Sequence, residues 1–162
     1  MDVRVRPAKA EDVDELLDLY EAVATEKIHI GGEAPIDRPR RKTAWLNTID
    51  PSTPGTSIVA VAGDEIVGQA GITGAGRMDL GMWVRADWRG RGVGTALVGA
   101  AIDYAREHDA YKISLEVWPH NAAAIALYEK FGFEREGYLR KHWRRRNGEL
   151  WDSVVMGLLL DE

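Results

Sequence analysis

The chain has 162 residues, 45% of them hydrophobic and 29% charged, which fits one globular domain, 1–162, able to bury a core without staples. It contains no cysteine, which excludes disulfides, thiolate metal sites and cysteine nucleophiles together. A formal net charge of −5 argues against non-specific nucleic-acid binding, and no apolar run approaches the roughly 20 residues that span a bilayer. Residues Met1 to Arg6 lack the apolar stretch of a signal peptide, so the expectation is a cytoplasmic protein whose partners are neither nucleic acid nor membrane.

Asp2 to Arg6 alternates Val3 and Val5 with Arg4 and Arg6, a half-buried strand ending at Pro7. Lys9 to Val23 sets Val13, Leu16, Leu17, Tyr20 and Val23 at helical spacing, with acids in the first turn, and predicts an amphipathic helix. Thr25 to Arg41, with Gly31-Gly32, Pro35 and Pro39, has no period. It reads as a loop, followed by a helix from about Arg40 to Thr48. Such a long irregular segment is either a binding loop or a plain surface connection.

Ser57 to Ala62 and Glu65 to Thr73 flank Gly63-Asp64 as a hairpin, and Arg77 to Val84 adds a third strand. Gly68, Gly71 and Gly81 inside these strands mark a bulge or the close approach of another backbone or ligand. Val93 to His108 carries Val93, Ala96, Leu97, Ala100, Ala101 and Tyr104 on one helical face. The strand Lys112 to Val117 follows, so this unit is a right-handed crossover between parallel strands. Asn121 caps a helix over Ala122 to Phe131, which Gly132 ends. Phe133 to Arg146 and Leu150 to Leu160 pair through the Asn147-Gly148 turn.

The stretch between the third strand and its helix carries the chemistry. Gly90, Gly92 and Gly94 alternate there, with Arg89 and Arg91 beside them. Bare backbone at a helix N-terminus offers unpaired N–H groups, here from Gly90 through Val93 to Thr95, and the positive end of the helix dipole. Both suit a phosphate. No Gly-Lys-Ser/Thr follows, which excludes a nucleoside-triphosphate loop, and the glycine spacing is wrong for a dinucleotide fingerprint. The expectation is the pyrophosphate of a coenzyme, with Arg89 and Arg91 adding charge.

Arg89-x-x-Gly92-x-Gly94 resembles the Gln/Arg-x-x-Gly-x-Gly/Ala signature of the GNAT superfamily of acyl-CoA-dependent N-acetyltransferases. The run from Leu115-Glu116-Val117 through Asn121-Ala122-Ala123-Ala124-Ile125-Ala126-Leu127-Tyr128-Glu129 to Gly132-Phe133 resembles the second block of that family, as ribosomal-protein alanine N-acetyltransferases carry it. The tail, from Glu136-Gly137-Tyr138-Leu139-Arg140 to Asn147-Gly148-Glu149-Leu150-Trp151-Asp152, is similar to that of amino-acid and phosphinothricin acetyltransferases. The resemblance covers about Arg77 to Met156 and is weak before Ser57.

The resemblance implies an α/β GNAT fold: a mixed central sheet with flanking helices, whose fourth and fifth strands splay apart around acetyl-CoA. A splayed pair leaves main-chain groups that need partners, and the N–H groups of Trp83 or Val84 are candidates to meet the coenzyme arm or the thioester oxygen. Gly81 permits a bulge there. Asn121, Ala124 and Tyr128 share a helical face, and the alanines let the coenzyme approach closely.

In the family the tyrosine matching Tyr128 protonates the departing thiolate. The glutamate matching Glu116 accepts the proton of the attacking ammonium, and Asp79 is the rival base, placed where many small-molecule members carry an acid. The implied activity is acetyl transfer from acetyl-CoA to a primary amine of a small molecule, an amino acid or an amine toxin, by direct attack in a ternary complex. A protein N-terminus is the alternative acceptor, and a non-catalytic acyl-CoA-binding module the alternative class. The resemblance also allows a homodimer.

Arg140, Lys141, Arg144, Arg145 and Arg146 form a basic hairpin, read mainly as solvated surface. His29, His108, His120 and His142 show no metal-binding spacing, so no metal is expected; His29 lies near Glu33 in the patternless loop. Trp45 and Trp83 are the tryptophans most open to pocket contact.

Overall fold

The computed structural model describes residues 2–160. A seven-stranded sheet runs in the order β1-β2-β3-β4-β5-β7-β6. Its strands are β1 (Val3–Pro7), β2 (Gly55–Ala62), β3 (Glu65–Thr73), β4 (Arg77–Val84), β5 (Lys112–Val117), β6 (Glu134–Arg144) and β7 (Leu150–Leu159). Only β4 and β5 are parallel neighbours; every other pairing is antiparallel. The helix between them, α3 (Val93–Glu107), is the crossover expected from the sequence.

Two cores flank the sheet. On one face α3 and α4 (Ala122–Lys130) pack over Met78, Leu80, Ile113, Leu115 and Met156. On the other, α1 (Val13–Thr25) places Leu16, Tyr20 and Val23 over Val59, Val61, Ile66 and Trp83. Alternation along β4 and β5 therefore assigns Asp79, Gly81, Trp83 and Glu116 to the α1 side.

Local chemistry sets several boundaries. The first turn expected of α1 is instead a 3-10 turn over Ala10–Asp12. Asp12 is occupied there: its carboxylate accepts from the Lys9 N–H at 2.8 Å and from both Nη atoms of Arg6 at 2.8 and 3.1 Å. The second helix, α2 (Arg38–Ile49), starts two residues earlier than its pattern predicts, because Asp37 caps it by accepting from the Arg40 N–H at 3.1 Å. No residue of α2 is buried. It is held to α1 by ion pairs of Arg38 with Asp18 and Glu21 and of Lys42 with Asp14, and by an edge contact of Trp45 on Tyr20.

Candidate active site

The β4–β5 ladder covers only Arg77, Met78 and Asp79 against Lys112, Ile113 and Ser114. Beyond it the strands part. The Arg85 N–H donates to the Val67 carbonyl at 2.9 Å, in register with the β3–β4 pairs. Ladder alternation then sends the N–H and carbonyl of Gly81 and Trp83 to β3, and those of Met82 and Val84 toward the gap. The same reasoning from the Leu160 N–H on the Tyr111 carbonyl turns the main chain of Glu116 toward the gap. Of the two groups expected to meet a thioester, Val84 keeps its N–H for the gap and Trp83 does not; Met82 takes the place of Trp83.

The gap opens into a cleft of about 1060 Å³ lined from both faces of the sheet. At one end lies the glycine turn. Gly90 and Gly92 adopt φ of 72° and 87°, a left-handed conformation that bulkier residues resist, and a Cβ at either would meet nothing within 4 Å. The first helical bond of α3 runs from the Ala96 N–H to the Gly92 carbonyl, which leaves the N–H groups of Val93, Gly94 and Thr95 without intrahelical acceptors. This cradle suits a pyrophosphate. Gly94 also has a packing role: a Cβ there would lie 2.9 Å from Leu127 and 3.2 Å from Met82.

The two arginines of the turn have different surroundings. Arg89 donates from Nη1 and Nη2 to Glu26 at 2.5 and 3.0 Å, and from Nε to the Val84 carbonyl at 3.1 Å. Its charge is matched by a carboxylate, so it braces the turn rather than supplying free charge to a phosphate. Arg91 lies over the Trp88 ring at 3.9 Å. Glu26 is held below the usual carboxylate range, first by the Arg89 hydrogen bond.

On the α3–α4 side, Asn121 caps α4, its Oδ1 accepting from the Ala124 N–H at 3.3 Å. Ala123, Ala124, Leu127 and Tyr128 line the cleft beside it. Tyr128 is only 6% exposed and packs on Phe133, and burial pushes its phenol up to about 12. It is therefore a neutral O–H donor throughout the physiological range.

On the α1 side Glu116 reaches the same cleft. One carboxylate oxygen accepts from Ser153 Oγ at 2.7 Å and from Trp143 Nε1 at 3.0 Å, which fixes the side chain and leaves its second oxygen free of both. Asp79 also lines the cleft, but its side chain is 58% exposed and its carboxylate is bound by Arg77 at 2.7 Å. The bulge expected at Gly81 is absent: the β3–β4 register runs through it unshifted. Instead Gly81 stands opposite Gly71, and a Cβ on either meets nothing within 4 Å, so the paired glycines leave the cleft floor bare.

Gln69 and Ser57 were not singled out by pattern. Trp83 Nε1 donates to Gln69 Oε1 at 2.9 Å, and Gln69 donates to Ser57 Oγ at 2.7 Å, a buried chain that fixes the indole under the cleft. The signal was a lone Gln within the apolar run Ile66 to Ile72. The patternless segment after α1 forms a cleft wall with His29, Gly31, Gly32 and Glu33. His29 is pushed toward its neutral form by burial and then by Arg89, against the opposing pull of Glu26. Its Nδ1 sits 3.2 Å from Glu26 Oε1 without hydrogen-bond alignment.

Within the basic hairpin Arg145 departs from the solvated reading. It is 5% exposed, lies over the rings of Trp151 and Trp118, and donates to the Gly31 carbonyl at 3.0 Å. His120 likewise ties down this wall through a 2.8 Å contact of Nε2 with the Ile28 carbonyl. Among the described residues no group of three or more His, Asp or Glu is arranged to hold a metal, and no helix is long and apolar enough to cross a membrane.

Comparison with known proteins agrees with this geometry. Residues 15–133 match the Acetyltransferase (GNAT) family. The chain is 27% identical, over 99% of its length and 96% of the relative's, to an L-methionine sulfoximine/L-methionine sulfone acetyltransferase of Pseudomonas aeruginosa. It superposes on a ribosomal-protein-alanine N-acetyltransferase from Brucella melitensis with a TM-score of 0.87 and 26% identity, covering 97% of this chain and 99% of that one. A phosphinothricin acetyltransferase from Sinorhizobium meliloti, solved in complex with acetyl-CoA, shares the fold at a TM-score of 0.88 and 18% identity, over 100% and 90% of the two chains. The chain belongs to the GNAT family and is an acetyl-CoA-dependent N-acetyltransferase.

Proposed function

We propose that the enzyme acetylates the amino group of a small molecule, a free amino acid being the preferred class, by direct attack on the thioester. The observation that carries this reading is the position of Glu116, anchored by Ser153 and Trp143 at the cleft wall with one carboxylate oxygen open, while Tyr128 serves the same cleft from α4. In this reading Glu116 takes the proton of the incoming ammonium. The freed nitrogen attacks the thioester carbon, a C–N bond forms and the C–S bond breaks. The Val84 N–H, or that of Met82, faces the developing oxyanion. Nitrogen loses two protons: the first leaves through Glu116 before attack, and the second passes to solvent as the tetrahedral intermediate collapses, while Tyr128 gives its proton to the leaving thiolate and regains one from solvent. Holding both reactants in register supplies most of the acceleration.

The amino-acid class is supported by the Pseudomonas aeruginosa relative, whose named substrates are amino-acid derivatives and which matches nearly the whole chain. The Brucella melitensis neighbour favours the second reading, a protein N-terminus. Thiol release with free amino acids, against a peptide beginning with alanine, separates the two. Turnover of the amino acids at the higher kcat/KM supports the first reading, and preference for the peptide overturns it.

A further inference from the structure

We propose that Arg41 binds a carboxylate of the acceptor and thereby selects amino acids over simple amines; this rests on the amino-acid reading above. The four cations of α2 differ in their surroundings, Arg40 being exposed outside the cleft. Arg38 is bound by Asp18 and Glu21, and Lys42 by Asp14. Arg41 is turned into the cleft and has no carboxylate partner among the described residues. Its guanidinium lies 4.6 Å over the Tyr20 ring and 5.9 Å from that of Trp45, and Trp45 itself stands edge-on to Tyr20. An aromatic platform restrains a guanidinium without using its N–H donors, so the planar fork remains available for a carboxylate.

Other cleft cations fit less well. Arg145 is 5% exposed, donates from Nη1 to the Gly31 carbonyl and has Glu33 3.9 Å from its Nε, although its buried Nη2 has no hydrogen-bond partner, and Arg89 is paired with Glu26. Arg144 is exposed on the hairpin. With Glu116 as the open anion of the cleft and Arg41 as its half-buried unpaired cation, the acceptor site has the charge pattern of a zwitterion.

The test uses equilibrium binding as well as turnover. N-acetyl derivatives of L-methionine, L-methionine sulfone, L-leucine and L-phenylalanine, each as free acid and as carboxamide, are titrated calorimetrically in the presence of CoA. The wild type is expected to bind at least one acid about tenfold or more tightly than its amide, as a charge-assisted bidentate contact would give. Arg41→Gln is expected to abolish that preference without weakening the amide, Arg41→Lys to restore part of it, and Lys42→Gln on the outer face to leave it unchanged.

The proposal is overturned if the wild type shows no acid preference, if Arg41→Gln keeps it or weakens acid and amide alike, or if Arg144→Gln removes it instead. The same amino acids are assayed for thiol release. If none is acetylated while the Arg41-dependent acid preference persists, the proposed acceptor reading fails and the carboxylate site stands.

Discussion

Arg89 grips Glu26 through both carboxylate oxygens and, through Nε, the carbonyl of Val84. One side chain thus joins the glycine turn, the gap-facing edge of β4 and the residue that ends α1. Its partner Glu26 also adjoins His29 on the cleft wall. The strut couples the glycine-turn end of the cleft to that wall, which is where the proposed acceptor would lie. Arg89→Gln and Glu26→Gln should therefore raise KM for acetyl-CoA and for the amine together, and the double variant should be little worse than either single one. A double-mutant cycle measures this, with a coupling energy on the order of 1–2 kcal/mol for a partly buried charged pair. Because the folded-state pKa of Glu26 is depressed, the pair's stabilisation is present above the ordinary glutamate value of 4.5 and is lost as pH falls through the lower folded value.

The Gly71–Gly81 pair makes a prediction that separates activity from stability. Neither glycine has a positive φ, and an added side chain meets open space. Gly81→Val should leave the urea midpoint unchanged or slightly raised, because valine favours strands. By filling the floor of the cleft it should lower kcat/KM by about tenfold or more, the direction expected when a positioned reactant is displaced. A large loss of stability would show that the glycine serves packing instead.

Glu116→Gln keeps an acceptor for Ser153 and Trp143 but cannot take a proton. It should reduce kcat by about 10²-fold near neutral pH, with less loss as pH rises and more of the amine arrives unprotonated. Asp79→Asn, which removes a carboxylate already bound to Arg77, should have a much smaller effect. Full activity of Glu116→Gln across the pH profile would transfer the base role elsewhere.

Tyr128→Phe should lower kcat by about 10²-fold while leaving the affinity for acetyl-CoA near that of the wild type. Since burial lifts the Tyr128 phenol to about 12, the wild-type profile should show no loss attributable to tyrosine ionisation below about pH 11. Dead-end binding of CoA, measured by calorimetry, checks that the variant retains its cleft.

Asp12 is nearly buried, with three donors on its carboxylate, and its pKa is lowered chiefly by the Arg6 hydrogen bond. The folded-state value lies below the unfolded one, so this stabilisation is present above the ordinary 3.8 and disappears as pH falls through the folded value. Asp12→Asn should cost on the order of 2 kcal/mol at pH 7 by urea unfolding. It should also flatten the wild type's loss of stability below about pH 4.

The strands, the crossover helix and the α4 cap were legible because hydrophobic period, the Asn147-Gly148 turn and the Asn121 cap act locally. The glycine turn was legible for the same reason: bare glycines before a helix leave its first N–H groups free whatever surrounds them. The Arg89–Glu26 pair was not legible because the two residues lie 63 positions apart, and neither segment carries a sign of that contact. The choice between Trp83 and Val84 stayed open in the sequence because which N–H faces a gap depends on ladder register, and alternation of side chains alone does not fix it. The stretch from the end of α1 through α2 was illegible because α2 buries nothing and so shows no apolar face, while the segment after α1 is held by single contacts such as His120 on Ile28 and Arg145 on Gly31.

Acetyl transfer to an amino acid through Glu116 and Tyr128 is tested most directly by quantifying thiol release and N-acetyl product together. The wild type, Glu116→Gln and Tyr128→Phe are compared with a panel of amino acids at saturating acetyl-CoA. The account predicts one thiol per N-acetylated amino acid in the wild type, and at least about tenfold slower release in each variant despite undiminished coenzyme binding. Tight coenzyme binding with no N-acetyl product from any amino acid, or rates unaffected by both substitutions, would contradict it.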